Sequence, residues 1–282
     1  MGPRPFSNAA HSAMPRYRIT IEYDGTSFVG WQAQAQGVSV QSALQEAIQR
    51  FCGESPIVKG AGRTDAGVHA WGQVAHFDLA KSWDAFRVQE AINFYLKPNA
   101  AVVLDCAVVG EDFDARFSAV QRHYVYRILC RRARPVLDAN RVWWLPHDLD
   151  HDAMADAASI FVGRHDFTTF RAAQCQAQSP LKTLDSFAVV RSGLEIRLSV
   201  SARSFLHNQV RSMVGSLKLV GEGKWRRADL AAALEARDRT RCGPVAPAAG
   251  LYLVRVDYPA PAGGVDNVLR ATLHAPDDAP GN

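Results

Sequence analysis

The sequence predicts an α+β fold in which two similar halves share one largely antiparallel sheet, with helices packed on one face. Three observations carry that prediction. Stretches that alternate apolar and polar residues are interleaved with stretches of helical spacing. The strand and helix rhythm runs once before residue 112 and again after it, without repeating the sequence itself. A hairpin signal at Ser192-Gly193 argues against a purely parallel sheet. The halves are therefore expected at 16–112 and 113–258. The ends, 1–15 and 259–282, are rich in Pro, Gly, Ala and polar residues and are expected to be mobile.

Each element has a local reason. Tyr17, Ile19, Ile21 and Tyr23 alternate with Arg18, Thr20 and Glu22, the pattern of a half-buried strand, which Asp24-Gly25 ends. Ser39 is a ready N-cap for a helix whose Val40, Leu44, Ile48 and Phe51 recur at helical spacing. A glycine-rich loop around Asp65 follows, then a strand over Gln73 to Leu79. A second helix, Trp83 to Leu96, is stopped by Pro98, and Ala101 to Val109 reads as a buried strand. In the second half His123 to Cys130 is a strand and Asp152 to Val162 a helix. Asp185 to Arg191 and Leu194 to Ser201 pair across the hairpin, with Leu194, Ile196, Leu198 and Val200 on one side and Glu195, Arg197, Ser199 and Ser201 on the other. Leu206, Val210, Met213, Leu217 and Val220 mark a long helix with Gly221 as its C-cap. A short helix, Ala228 to Ala236, and a last strand, Leu251 to Asp257, complete the pattern.

Composition narrows the function. The chain has 282 residues, 48% of them hydrophobic, enough for a real core. No apolar run reaches the roughly 18–20 residues of a membrane span, and no signal-peptide core follows Met1. Five scattered cysteines form neither a disulfide framework nor a Cys-x-x-Cys clip, so a reducing, cytoplasmic setting is expected. Net charge is only +4, but it is unevenly placed. Phe113 to Arg141 carries seven arginines against two acids, and Ser201 to Arg241 nine Lys or Arg against four acids. Two such blocks suit a phosphate-rich partner, or equally two solvated arginine faces.

The run Gly60-Ala61-Gly62-Arg63-Thr64-Asp65-Ala66-Gly67-Val68-His69 is the leading candidate for chemistry. Its glycines permit a shaped loop, and a cation near Asp65 favours the ionised form of a carboxylate. A carboxylate so placed serves as nucleophile or general base, particularly at sugar carbons; a surface turn with a local ion pair explains the same pattern. Arg211 lies on the long helix with His207 four residues earlier, on a polar face distinct from the apolar stripe. Tyr124 and Tyr126 share one face of their strand amid Arg122 and Arg127, a setting for base stacking or for two core rings. Asp114-Ala115-Arg116-Phe117 is a loop candidate for RNA contact. No metal template, dinucleotide fingerprint or phosphate-binding Gly-Lys loop occurs, so neither a metal nor a cofactor is expected.

Seven ordered segments together make the chain resemble the tRNA pseudouridine synthase A family, over about residues 15–258. They are Glu22-Tyr23-Asp24-Gly25 with Gly30-Trp31-Gln32; Gly62 to His69 with Gly72-Gln73-Val74; Phe113 to Ala119; Arg122-x-Tyr124-x-Tyr126; Asp166-Phe167 through Phe170-Arg171-Ala172; Phe205-Leu206-His207 through Arg211 and Val214-Gly215-Ser216; and Gly250-Leu251-Tyr252. The resemblance implies the pseudouridine synthase fold with a basic active-site cleft. It also implies isomerisation of uridine to pseudouridine at positions 38, 39 and 40 of the tRNA anticodon arm, by a cofactor-free homodimer. It makes Asp65 the catalytic aspartate, Arg63 the arginine of the same loop, Tyr124 the tyrosine that stacks on the target base and Arg211 the partner of the catalytic acid. His69, Arg116, Arg122 and His207 are the remaining candidates for substrate or RNA contact. Two other readings compete. A non-catalytic tRNA-binding or chaperone module would use the same basic cleft but has no need of Asp65. A small-molecule glycosidase would need a second paired carboxylate, which no recognisable site supplies.

Overall fold

The computed structural model describes residues 14–259. The first half contains β1 (Arg16–Tyr23), α1 (Val40–Cys52), β2 (Lys59–Gly60), β3 (His69–Asp78), α2 (Ala85–Leu96) and β4 (Ala101–Val109). The second contains β5 (Gln121–Cys130), β6 (Trp143–Leu145), α3 (His151–Ala158), β7 (Gly163–Asp166), β8 (Leu181–Ser192), β9 (Glu195–Ala202), α4 (Gln209–Gly221), α5 (Arg227–Ala236) and β10 (Leu251–Asp257). All ten strands join one sheet, in the order β4-β1-β3-β10-β5-β9-β8-β7, with β2 beside β3 and β6 beside β5. Only β3·β10 and β5·β6 run parallel.

Capping explains where the helices begin. The Ser39 hydroxyl accepts from the Ser42 N–H at 3.0 Å, Asp84 from the Arg87 N–H at 3.0 Å, and Asp150 from the Ala153 N–H at 2.9 Å. Each satisfies an amide that the first helical turn leaves unpaired, worth about 1 kcal/mol. Burial then fixes the layers. On β1 the alternate residues Tyr17, Ile19, Ile21 and Tyr23 are buried in one cluster with Leu44, Ile48, Val88 and Ile92 of α1 and α2. On β9, Ile196, Leu198 and Val200 share a second cluster with Met154 of α3, Met213 and Leu217 of α4, and Leu230 of α5. The helices therefore cover one face of the sheet, while Arg18, Glu22, Glu195 and Arg197 stand on the other.

β10, last in the chain, is central in the sheet. Leu251 belongs to the second cluster and Leu253 and Val256 to the first, so this strand closes the junction between the halves. Tyr124 of β5 packs against both clusters.

Several details differ from the sequence expectation, among them the end of α3, which stops at Ala158 rather than Val162. β3 starts at His69, four residues earlier than its alternation suggests, because His69 and Ala70 pair with Tyr252 and Leu253. α4 starts at Gln209, since Asn208 sits at φ 62° and breaks the helical path that began at Leu206. Gly221 is a helical residue rather than the C-cap; a methyl there would press on Met154 and Leu149, and the left-handed turn falls to Gly223 at φ 68°. β2, β6 and β7 were not expected, being too short for a periodic signal. The expected mobility of the chain ends concerns residues 1–13 and 260–282, which lie outside the described residues.

Candidate active site

The Asp65 loop lies between β2 and β3 and is braced from several directions. Gly25 and Gly30, from the connection after β1, lie against its backbone: a methyl on Gly25 would collide with the Val68 carbonyl, and one on Gly30 (φ 108°) would sit 2.8 Å from the Thr64 carbonyl oxygen. The Trp31 N–H donates to that same Thr64 carbonyl at 2.9 Å. Beneath the loop the Tyr23 hydroxyl meets the Thr64 hydroxyl at 2.8 Å, and the Gln73 amide donates to the Gly62 carbonyl at 2.8 Å. The Val68 N–H closes a turn on the Asp65 carbonyl at 3.1 Å. Such bracing presets a half-buried carboxylate in a loop that would otherwise be free to move.

The second half supplies the partners. Arg211 Nη1 donates to Asp65 Oδ2 at 2.9 Å, and His207 Nε2 lies 3.1 Å from Asp65 Oδ1. Arg211 is itself held: Nη1 also donates to Asn208 Oδ1 at 3.0 Å, and Nε donates to the Ala246 carbonyl at 2.8 Å. The left-handed Asn208 turns the chain so that His207, just before α4, and Arg211, in its first turn, reach the same carboxylate. The Ala172 N–H bonds the His207 carbonyl at 2.9 Å, which ties the Phe170-Arg171-Ala172 segment into the site. A methyl at Gly215 would overlap the Pro244 carbonyl, so glycine lets α4 lie against the segment that holds Arg211.

Tyr124 is half-buried, with Phe205 edge-on to its ring at a centroid distance of 5.2 Å. Its hydroxyl would lie 3.9 Å from a methyl on Gly62, at the foot of the Asp65 loop. Burial pushes the phenol up to about 12; the Asp65 charge adds to the rise and the Arg122 charge opposes it. The phenol is therefore a neutral donor at physiological pH. Asp65, Arg211, His207 and Tyr124 thus converge at the junction between the halves.

The remaining candidates divide. Arg63 and Arg116 are exposed and form no ion pair among the described residues, the Arg116 guanidinium lying over the Phe117 ring at 5.4 Å from its centroid. His69 and Arg122, also expected to contact substrate or RNA, turn inward and are buried among protein groups. His69 Nδ1 accepts from the Gly25 N–H at 3.0 Å, Nε2 reaches the Asn140 carbonyl at 2.9 Å, and the ring stacks on Tyr252. Burial depresses its pKa despite the nearby Asp24. Arg122 is buried and bonds only backbone carbonyls. The sequence reasoning missed Asn208, Thr64 and Tyr23 as supports. The alternation in β1 placed Tyr23 in the core correctly, but no sequence signal joins it to Thr64, 41 residues away.

No group of three or more His, Cys, Asp or Glu side chains among the described residues is arranged to hold a metal ion. No helix among them is long and apolar enough to cross a membrane. Residues 19–118 and 157–259 match the family model described as tRNA pseudouridine synthase. The chain is 61% identical over 245 residues to a tRNA pseudouridine synthase A of Xanthobacter autotrophicus, an alignment covering 87% of this chain and 100% of that one. It is 56% identical over 248 residues to the protein of that name from Agrobacterium fabrum, with 87% and 93% covered. The corresponding Rhizobium meliloti protein is 58% identical over 247 residues, with 87% and 100% covered. With both halves matched and the Asp65 loop inside the matched span, the chain belongs to the tRNA pseudouridine synthase family.

Proposed function

We propose that this chain isomerises uridine to pseudouridine in tRNA, at positions 38, 39 and 40 of the anticodon arm, acting as a homodimer in the cytoplasm. The observation that carries the reading is the carboxylate of Asp65, presented on a braced loop and paired with Arg211 and His207 from the other half. Pure RNA binding has no use for a fixed anion beside a polyphosphate.

The chemistry follows from those groups. The target nucleotide leaves the stack, since its sugar is otherwise out of reach. Asp65 then acts on the ribose, either by attack on C1′ or by removal of the 2′ proton; both routes break C1′–N1 and both need the carboxylate. The detached uracil turns against Tyr124, and C5 bonds to C1′ as the Asp65 ester is displaced on the first route, or as Asp65 returns the proton to C2′ on the second; C5 then loses its proton and N1 gains one. The neutral Tyr124 phenol can donate a hydrogen bond to the turning base. Arg211 and His207 hold the carboxylate in position through the cycle.

The test is release of tritium from tRNA transcripts carrying uridine labelled at C5. The chain should release label from substrates with uridine in the anticodon arm and none from substrates lacking it there. Absence of release from every such transcript would overturn the proposal and favour the non-catalytic binding module.

A further inference from the structure

Arg122 is 7% exposed, yet no carboxylate pairs with it among the described residues. Its terminal nitrogens donate instead to four backbone carbonyls. Nη1 reaches Ala119 at 3.3 Å and Arg203 at 2.6 Å; Nη2 reaches Ala61 at 2.8 Å and Arg116 at 2.7 Å. Those carbonyls belong to three separate stretches: the entry to the Asp65 loop, the 114–119 turn, and the segment after β9. A planar guanidinium with several fixed donors can serve all of them at once, whereas an ammonium on a flexible stem cannot.

Each of the three stretches also carries an exposed arginine: Arg63, Arg116 and Arg203. None of these forms an ion pair among the described residues. Arg116 and Arg203 are close enough to disfavour the Arg122 cation electrostatically, while the carboxylate of the same turn, Asp114, accepts from the Arg116 and Phe117 N–H groups and pairs with none of the three guanidinium groups. Such a group is electrostatically incomplete until an anion arrives. The rim borders the base pocket, because Phe205, two residues beyond Arg203, packs edge-on against Tyr124.

We propose, on the isomerase reading, that Arg122 is a positioning residue that ties three loops together so that Arg63, Arg116 and Arg203 form one rim. That rim grips the phosphodiester backbone on either side of the nucleotide delivered to Asp65. Arg122 itself does not touch the RNA.

The experiment measures the dissociation constant for a full-length tRNA transcript across a series of KCl concentrations, alongside the thermal stability of each variant. Combined Arg63→Gln, Arg116→Gln and Arg203→Gln should reduce the slope of log affinity against log salt by roughly 2 to 3, at about 0.7–0.9 per lost phosphate contact. Arg122→Met retains all three rim arginines but releases the loops. It should weaken binding about tenfold and lower the slope by about 1 or more, as expected when phosphate contacts are lost. Arg122→Lys should resemble Arg122→Met, because its charge is kept and its fork is lost. A triple variant with the wild-type slope overturns the proposal. So does a folded Arg122→Met with wild-type affinity and slope, or full recovery of affinity in Arg122→Lys. If Arg122→Met does not fold, the triple variant decides. Tritium release by the wild-type chain is read separately: unchanged slopes with release intact sink the rim alone, and absent release sinks the isomerase reading whatever the slopes.

Discussion

Asp65 presents one oxygen to His207 and the other to Arg211, and the consequences differ for each partner. Asp65→Asn is close in shape but lacks the charge and the basicity that either route requires. It should remove tritium release to background while tRNA affinity stays within a few-fold of wild type; an active Asp65→Asn variant would mean that the reacting group lies elsewhere. Arg211→Gln removes a charged hydrogen bond worth about 1.5–3 kcal/mol, so kcat should fall by roughly 10- to 150-fold with KM changing less. A change confined to KM would instead make Arg211 a binding group. Tyr124 gives a pH prediction. Its phenol is pushed up to about 12 and so stays protonated through the alkaline range of an ordinary assay. The kcat profile of Tyr124→Phe between pH 8 and about pH 10 should therefore parallel that of wild type, though at a lower level. An alkaline limb present in wild type and missing from the variant would assign that limb to Tyr124. At this scale residue type and motif order singled out Asp65, Arg211 and Tyr124, and the structure joins the first two in an ion pair. Type and order left the direction of Arg122 and His69 open, since a basic side chain on a strand reads the same whether it meets solvent or four carbonyls.

At the scale of elements, the glycines of the recognisable motifs mark close approaches. Gly25 and Gly30 let the connection after β1 lie against the Asp65 loop, and Gly215 lets α4 lie against Pro244. The Gly215 contact bears on the site indirectly, because the neighbouring Ala246 carbonyl holds Arg211 Nε. Gly215→Ala should cost about 1–3 kcal/mol of stability by overpacking, and should lower kcat as well by moving the Arg211 anchor. Urea unfolding and single-turnover rates measure the two effects, and wild-type values for both would show that α4 can shift freely. Strands and helices long enough to repeat a period were legible: β1, α1, α2 and the β8–β9 hairpin follow their apolar spacing, whereas β4, expected to be buried, is an edge strand in which only Val103 is buried. The start of α4 was not, because its apolar stripe continues back to Leu206 through a residue whose left-handed backbone only the assembled site explains. The two-residue strand β2 had no period to read, although it leads directly into the Asp65 loop.

Across the whole molecule, the Asp65–Arg211 pair links residues 146 positions apart, and β10 closes the sheet where they meet. The two hydrophobic clusters do not follow the expected division at residue 112, since the first takes in Ala115, Ala119, Leu253 and Val256 and the second Val68; the central place of the last strand was not legible either, since alternation gives a strand its faces and not its neighbours. Two buried histidines tie this architecture to pH. His69 and His76 each accept a backbone N–H at Nδ1, from Gly25 and Ala115, both at 3.0 Å. Neutral rings alone can do so, and burial holds both pKa values below the ordinary 6.5. The unfolded chain takes up these protons as pH falls below 6.5 while the native chain resists them. Stability is therefore full above that value and should decline beneath it, by at most about 1.4 kcal/mol per pH unit for each histidine. Urea midpoints between pH 7.5 and 5 should follow this trend, and His76→Asn, which keeps an acceptor but cannot titrate, should flatten it. An equal decline in His76→Asn would remove His76 from the explanation.

The central claim is that Asp65, held at the junction of the halves, converts uridine to pseudouridine in the anticodon arm. Its most direct test is to map pseudouridine across total tRNA from cells lacking this protein, complemented with the wild-type chain or with Asp65→Asn. Loss of the modification at positions 38–40, restored by the wild-type chain and not by the variant, is the predicted result. Unchanged modification in the cells lacking the protein, or restoration by Asp65→Asn, would contradict the account.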